Sequence, residues 1–220
     1  MVRDQVIIGS GMVGSAFAEV RGLRGSVVYA AGPSNSSCTR QSEFDRERAR
    51  LQDALQIPGL FVYISTTSVE DKPYTHHKRE MEGLVRERGD YLIARLPIVA
   101  GKTTNPHTLL NFLHSRIARS EEFDLHMRAR RNVIGVADAA EIVAWLVRDG
   151  ARNEVVNIAA PHDYTILDIV RVFQRMTGKH AIFTRVDAGD WADLDVRRIA
   201  EAPVDFSGDY LERTLARYYR

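Results

Sequence analysis

A chain of 220 residues is long enough for one domain with a substantial core, or for one domain with a small appendage. A hydrophobic content of 45%, a charged content of 27% and a net charge of +1 are those of an ordinary globular protein, with no basic surface for nucleic acid or for a membrane. No apolar run approaches a membrane span, the N-terminus carries no signal pattern, and the single cysteine, Cys38, excludes an internal disulfide and a multi-cysteine metal site, so a cytoplasmic protein without a metal is expected.

Gln5–Ile8 reads as a short apolar strand, and Gly9-Ser10-Gly11-Met12-Val13-Gly14 follows it at once, opening a helix over Met12–Arg21. G-x-G-x-x-G between a strand and a helix is the arrangement that receives a dinucleotide pyrophosphate. Gly9 permits the tight turn, Gly11 lets the phosphate approach the backbone, and Gly14 allows close helix–strand packing. The helix N-terminus around Ser10, Met12 and Val13 supplies amide donors and the positive dipole end. A strand–helix turn with no ligand would use the same glycines. The next strand runs through Ser26-Val27-Val28-Tyr29 into Ala30, Ala31 and Gly32, small residues that let a ligand lie against the backbone or simply pack on a helix. No acid stands at that strand end, although a dinucleotide site normally places a ribose-binding acid about 20 residues past the glycines.

Pro33–Arg40 is a polar loop, and Glu43–Gln56 is a helix with Phe44, Leu51, Ala54 and Leu55 on its apolar side. Leu60–Ile64 is a buried strand that ends in a hydroxyl cluster, Ser65-Thr66-Thr67-Ser68. A short loop closed by Pro73 leads to Tyr74 and Lys78 at the head of a helix over Thr75–Arg88. Four residues apart, the pair shares one helix face. An ammonium beside a phenol favours the phenolate and is expected to lower the Tyr74 pKa from its usual ~10. Such a tyrosine exchanges protons with a substrate hydroxyl near neutral pH. Exposed helices also carry such pairs for solubility alone, but this chain has few lysines to scatter: Lys72, Lys78, Lys102 and Lys179.

Tyr91–Leu96 is another strand and ends in Pro97-Ile98-Val99-Ala100-Gly101. Alternating strands and helices predict a parallel sheet covered on both faces, with ligands at the strand C-terminal ends, where Gly9, Ala31, Thr66 and Pro97 fall. From Lys102 the pattern changes. Asn105–Arg119 reads as a helix capped by Asn105 with Pro106 in its first position, followed by a segment Phe123–Met127 and a basic turn Arg128–Arg131. Then come a strand Val133–Val136, a helix from its cap Asp138 to Arg148, a strand Glu154–Ile158, a helix Thr165–Thr177, a strand Ala181–Val186 and a helix Tyr210–Tyr219. His76 and His77 are adjacent and lack ligand spacing, and Asp187, Asp190, Asp193 and Asp195 around Trp191 read as a solvated acidic loop.

These motifs, in this order, resemble the extended short-chain dehydrogenases/reductases, the nucleotide-sugar epimerase/dehydratase group. The resemblance is carried by the glycine turn, Val27–Gly32, the hydroxyl cluster, Tyr74-x-x-x-Lys78, Arg95–Gly101, Arg131-Asn132-Val133-Ile134-Gly135-Val136-x-Asp138 and Val156-Asn157-Ile158. It implies a truncated Rossmann-like, doubly wound parallel sheet in an α/β chain, with residues 1–102 binding NAD or NADP. A small C-terminal α/β region over 103–220 would complete the sheet and bind substrate. It implies Tyr74 as acid/base, Lys78 on the nicotinamide ribose, and Thr66 as the hydroxyl on the substrate oxygen, with Ser65, Thr67 and Ser68 as the other hydroxyls of the cluster. The glycine turn, Ala30–Gly32, Ser65, Pro97 and Val99 would line the cofactor. Arg131 would meet the diphosphate of a nucleoside-diphosphate sugar, with Asn105 and Thr108 nearby and Thr67 and Ser68 beside the sugar.

Four departures stand out. The strand-helix-strand-helix unit between the glycine turn and Val27 is missing, Ile8 occupies the family's first glycine, and Thr67 and Ser68 replace the Asp-Glu of the dehydratases. The loop from Thr66 to Tyr74 is short, and Ile98 stands where many members have Asn. The expected activity is therefore keto-sugar reduction or epimerisation through a ketone, not dehydration. The alternative is a non-catalytic dinucleotide-sensing or interaction module. Losing two strands should leave Gln5–Ile8 at the sheet edge, to be covered by a loop or by a second copy in a homodimer.

Overall fold

The structure, a computed structural model, describes residues 4–220. The first three residues of the expected N-terminal part lie outside the described residues. Up to Leu96 the elements are β1 (Val6–Ile8), α1 (Met12–Glu19), β2 (Ser26–Tyr29), α2 (Gln41–Ala54), β3 (Leu60–Thr66), α3 (Pro73–Arg88) and β4 (Tyr91–Leu96). There follow β5 (Ile98–Ala100), α4 (Leu109–Arg119), β6 (Phe123–His126), β7 (Arg130–Gly135), α5 (Val136–Arg148) and β8 (Glu154–Asn157). The chain ends with β9 (Asp163–Thr165), α6 (Ile166–Thr177), β10 (Phe183–Val186) and α7 (Tyr210–Tyr219).

Two compact units interleave along the sequence. The first takes the described residues up to Leu96, then Val136–Ile158 and Asp195–Val204; the second takes Pro97–Gly135, Ala159–Leu194 and Asp205–Arg220. The chain leaves the opening unit after Leu96 and returns to it twice.

In the first unit five strands pair in the order β1-β2-β3-β4-β8, all parallel. This is the Rossmann-like α/β sheet the sequence predicts. Alternation along the strands sends Val27, Tyr29, Phe61, Tyr63 and Ile93 to one face, where Leu51 and Ala54 of α2 and Met81 and Val85 of α3 close over them. Val28, Val62 and Leu92, of opposite parity, are buried as completely, so the other face is covered as well. β1 lies at the sheet edge, and its three residues are only half-buried, as the missing strands require.

In the second unit β5 pairs with β7 in parallel and β7 with β9 antiparallel, while β6 and β10 form a parallel pair. Leu110, Leu113 and Ile117 of α4 pack with Ile169, Val170 and Phe173 of α6 and Leu211 and Leu215 of α7. Three local expectations are corrected. Thr108, not Asn105, caps α4, accepting from the Asn111 amide at 3.3 Å, because the Asn105 side chain closes a turn by accepting from the His107 amide at 3.0 Å. Asp138 lies inside the first turn of α5 rather than before it. Arg130 and Arg131 belong to β7, pulled into strand geometry by pairing with Thr165 and Tyr164. Among the described residues no helix is long and apolar enough to cross a membrane.

Candidate active site

The three glycines of the first turn do three different things. Gly9 has φ +131°, and a Cβ there would sit 2.4 Å from the Ala30 carbonyl oxygen. A Cβ on Gly14 would come within 2.2 Å of the Gly9 carbonyl oxygen, so the helix and the turn are in direct backbone contact. A Cβ on Gly11 would meet nothing within 4 Å. Its backbone is open, and no side chain caps α1 and no acid stands in its first turn. Unclaimed first-turn amides at an open backbone are what an anionic group needs.

Strand parity turns Tyr63 and Ser65 toward α3, and this decides the fate of the second cluster. Lys78 is buried, and its ammonium donates to Oε1 of Glu47 at 3.1 Å and to the Ile64 carbonyl at 3.0 Å, lying 4.3 Å from the centre of the Tyr63 ring. Glu47 comes from α2 and is 2% exposed. Its Oε1 also accepts from the Tyr63 hydroxyl at 2.9 Å, and its Oε2 lies 2.9 Å from Nε2 of His77, a ring stacked on Phe44. The carboxylate lies against the small end of β2: a Cβ on Gly32 would be 2.7 Å from Oε1. Tyr74 is half-buried one turn before Lys78. Among the described residues no hydrogen bond engages its hydroxyl, and that oxygen is not cut off from solvent.

The electrostatics reverse one expectation. Lys78 was to lower the Tyr74 pKa; in the structure the phenol is pushed up, first by burial and then by the Glu47 charge, with Cys38 adding to the rise and Arg79 opposing it. The ammonium is spent on Glu47. Burial outweighs the attraction of Glu47 at Lys78 and holds that ammonium below its usual value. Burial would raise the Glu47 carboxyl, but the charge of Lys78 and the hydrogen bond from His77 more than offset it and bring it down to about 2. A carboxyl depressed in the folded state stabilises the fold fully above its ordinary value near 4.5 and loses that contribution as the pH falls through about 2. That contribution is on the order of 3 kcal/mol. Denaturant titrations are expected to show stability falling through this window, and a smaller fall in Glu47→Gln. Equal pH slopes in the two proteins would refute the assignment.

A second buried carboxylate sits one turn further along α3. Glu82 is 0% exposed and accepts from Ser65 Oγ at 2.6 Å, Arg79 Nη1 at 2.6 Å and Arg95 Nε at 2.9 Å on Oε1, and from Arg95 Nη2 at 2.5 Å on Oε2. Ser65 is therefore turned into the helix interface and away from the other hydroxyls. Arg79 also donates to the Thr66 and Ser68 carbonyls at 3.1 and 2.8 Å, fixing the hydroxyl loop from behind. Thr66 Oγ1 accepts from the Ser68 amide at 3.1 Å, Thr67 donates weakly to the Leu96 carbonyl at 3.5 Å, and Ser68 meets Thr75 Oγ1 at 3.3 Å.

The first unit thus brings together the glycine turn, Ala30–Gly32, the hydroxyl cluster, Tyr74 and Lys78. The remaining candidates belong to the second unit. Val99 lies in β5, paired with Ile134, and Pro97 precedes it. The Arg131 guanidinium is ion-paired with Asp190 at 3.0 Å and also donates to the Asp190 and Arg130 carbonyls. Asn105 and Thr108 serve the turn and cap already described.

Sequence reading missed Glu47 and Glu82. The signal was present for Glu47, which lies three residues after Phe44 and four before Leu51, on the stripe that buries α2. A carboxylate on an apolar stripe asks for buried partners.

No protein-family model matches the chain, and no curated protein matches it. Solved structures do. MoeE5 in complex with UDP-glucose and NAD is 18% identical, with a TM-score of 0.75 over 97% of this chain and 96% of that one. RMD from Pseudomonas aeruginosa, complexed with NADPH, is 15% identical with a TM-score of 0.72 over 97% and 98%. UDP-glucuronic acid 4-epimerase from Bacillus cereus, in complex with UDP-glucuronic acid and NAD, is 16% identical with a TM-score of 0.70 over 91% and 77%. At this identity the likeness is one of fold: the chain is folded as these nucleotide-sugar and dinucleotide-bound proteins are, the fold of the family its motifs resemble.

Proposed function

We propose that the protein is a nicotinamide-dinucleotide-dependent oxidoreductase acting on a nucleoside-diphosphate sugar, by keto-group reduction or by epimerisation through a ketone. The observation that carries this reading is the Tyr74 hydroxyl. It stands at the C-terminal end of the parallel sheet with no hydrogen-bond partner among the described residues, while the neighbouring hydroxyls of Tyr29, Tyr63 and Ser65 are all engaged. A proton donor or acceptor left free at the ligand-binding end of such a sheet is the group a substrate oxygen would meet.

The residues fit the cofactor's phosphate half: Gly11 is open and the α1 N-terminus is uncapped. When bound, a nicotinamide dinucleotide supplies or accepts the hydride. The protein's own part is to hold the pyrophosphate at Gly9–Val13, to orient the substrate oxygen with Thr66 and to move its proton at Tyr74 Oη. Lys78, with the one ammonium proton that Glu47 and Ile64 leave, holds the adjacent ribose. A non-catalytic dinucleotide-sensing module is the second reading, favoured by the engagement of Lys78 with Glu47 and Ile64.

Calorimetric titration with NADH and NADPH, followed by turnover of 4-keto-sugar nucleotides, tests the proposal. Binding without turnover would leave the sensing module, and no binding of either would remove both readings. The glycines sharpen the test. Gly11→Val is expected to keep the melting temperature and lose dinucleotide binding, whereas Gly14→Ala should cost about 1–3 kcal/mol by overpacking. Unimpaired binding by Gly11→Val would place the dinucleotide elsewhere.

A further inference from the structure

Glu47 is the charged residue among the buried positions of α2, and the chemistry above gives it no task. Its carboxylate is nevertheless fully used, by Lys78 and Tyr63 on one oxygen and His77 on the other, and the Tyr29 hydroxyl holds its backbone carbonyl at 3.1 Å. Nor is there slack around it, because Gly32 leaves room for the carboxylate and for nothing more.

We propose that Glu47 is a positioning residue that cancels the charge of Lys78 and keeps Tyr74 a phenol, so that the site hands a proton to a carbonyl oxygen and works as a ketone reductase rather than an epimerase. This rests on the reading of Tyr74 as the acid/base and decides between its two activities.

An unopposed ammonium one turn from a phenol would favour the phenolate. Here the ammonium is paired at 3.1 Å inside the protein, and the carboxylate disfavours a second negative charge beside it. The groups facing this cluster come from every element around it. Tyr29 lies on β2, Tyr63 on β3, Arg46 and Arg50 on α2, Cys38 in the preceding loop, and His77, Arg79 and Glu82 on α3. Of those acting on Tyr74, Glu47 and Cys38 oppose the phenolate and Arg79 favours it, with burial adding to the opposition.

Epimerisation through a ketone begins by oxidising a sugar hydroxyl, whose proton needs a base; a phenol cannot take it. Keto reduction begins from the phenol. The C=O π bond breaks as hydride, with its electron pair, reaches the carbon from a reduced nicotinamide dinucleotide and the Tyr74 proton forms the O–H bond. The phenolate then takes a proton from solvent. One ketone, one reduced dinucleotide and one proton give one alcohol and one oxidised dinucleotide.

The test is a pH titration of the whole protein by NMR, with tyrosine labelled at Cζ and lysine at Nζ. Tyr74→Phe assigns the phenol, and Lys78 is the buried one of four lysines. In Glu47→Gln the Tyr74 midpoint is expected to fall by about one pH unit or more, and that of Lys78 to fall with it because only the charge of Glu82 then opposes burial. A Tyr74 midpoint that does not move would overturn the proposal. Should Glu47→Gln not fold, Glu47→Gln with Lys78→Met removes both buried charges together; because the two cancel each other, the Tyr74 midpoint is then expected to stay near that of the parent protein, and a fall of about one pH unit or more in this variant would overturn the proposal. With a keto-sugar nucleotide and NADH or NADPH, reduction at neutral pH is expected to exceed epimerisation by about 100-fold. Comparable rates would overturn the inference. Absence of both activities would refute the acid/base reading of Tyr74, and the titration would still judge Glu47.

Discussion

Replacing Glu82 with alanine is expected to cost about 3–5 kcal/mol, because removing one member of a buried ionic cluster strands the others. Arg95 from β4 and Arg79 from α3 are left with side chains only 24% and 30% exposed and no counter-charge, and the Ser65 hydroxyl on β3 loses its acceptor. Three elements are tied at this one carboxylate, so the loss is not local. For a chain of this size the melting temperature should drop by roughly 10 °C. Glu82→Gln keeps an acceptor for part of the cluster and should fall between the two. Thermal and urea unfolding measure both, and a loss below about 1 kcal/mol in the alanine variant would mean that the arginines find water instead.

Turnover is where the second large effect belongs. Tyr74→Phe removes one oxygen from a side chain whose hydroxyl has no hydrogen-bond partner among the described residues. Stability should therefore change by no more than about 0.5 kcal/mol, and dinucleotide affinity by little. The rate of keto-sugar turnover should fall by about 10²–10⁴, the usual range for a lost general acid. A drop in rate with unchanged folding and binding separates a chemical role from a structural one. Full activity in Tyr74→Phe would leave the sensing module as the reading to pursue.

The glycine turn, the individual strands of the parallel sheet and the spacing of Tyr74 and Lys78 were legible in the sequence because each is written in a few consecutive residues. Gly9, Gly11 and Gly14 constrain one stretch of backbone, and an i, i+4 pair needs only a helix. The partners of Glu47 are 16 to 31 residues away on β3 and α3, so its role appears only once those elements pack. The direction of the Tyr74 shift was misread for the same reason: the neighbouring ammonium was visible, and the distant carboxylate that neutralises it was not. At α4, Asn105 with Pro106 gave the expected cap, but the turn within residues 105–107 took the asparagine and left Thr108 to cap the helix. β9 is three residues long and owes its existence to pairing with β7.

Every ladder of the first unit's sheet is parallel, so no hairpin can close any of them early. β8 pairs Glu154 with Leu92, and Asp195–Val204 joins the same unit later still. During synthesis β4 therefore leaves the ribosome with one side unpaired, carrying Leu92, Ile93 and Ala94, and waits for some sixty residues of chain to follow. The newborn protein should consequently depend on chaperones that shield such an edge, and its refolding should be slow beside that of a helical bundle of equal size.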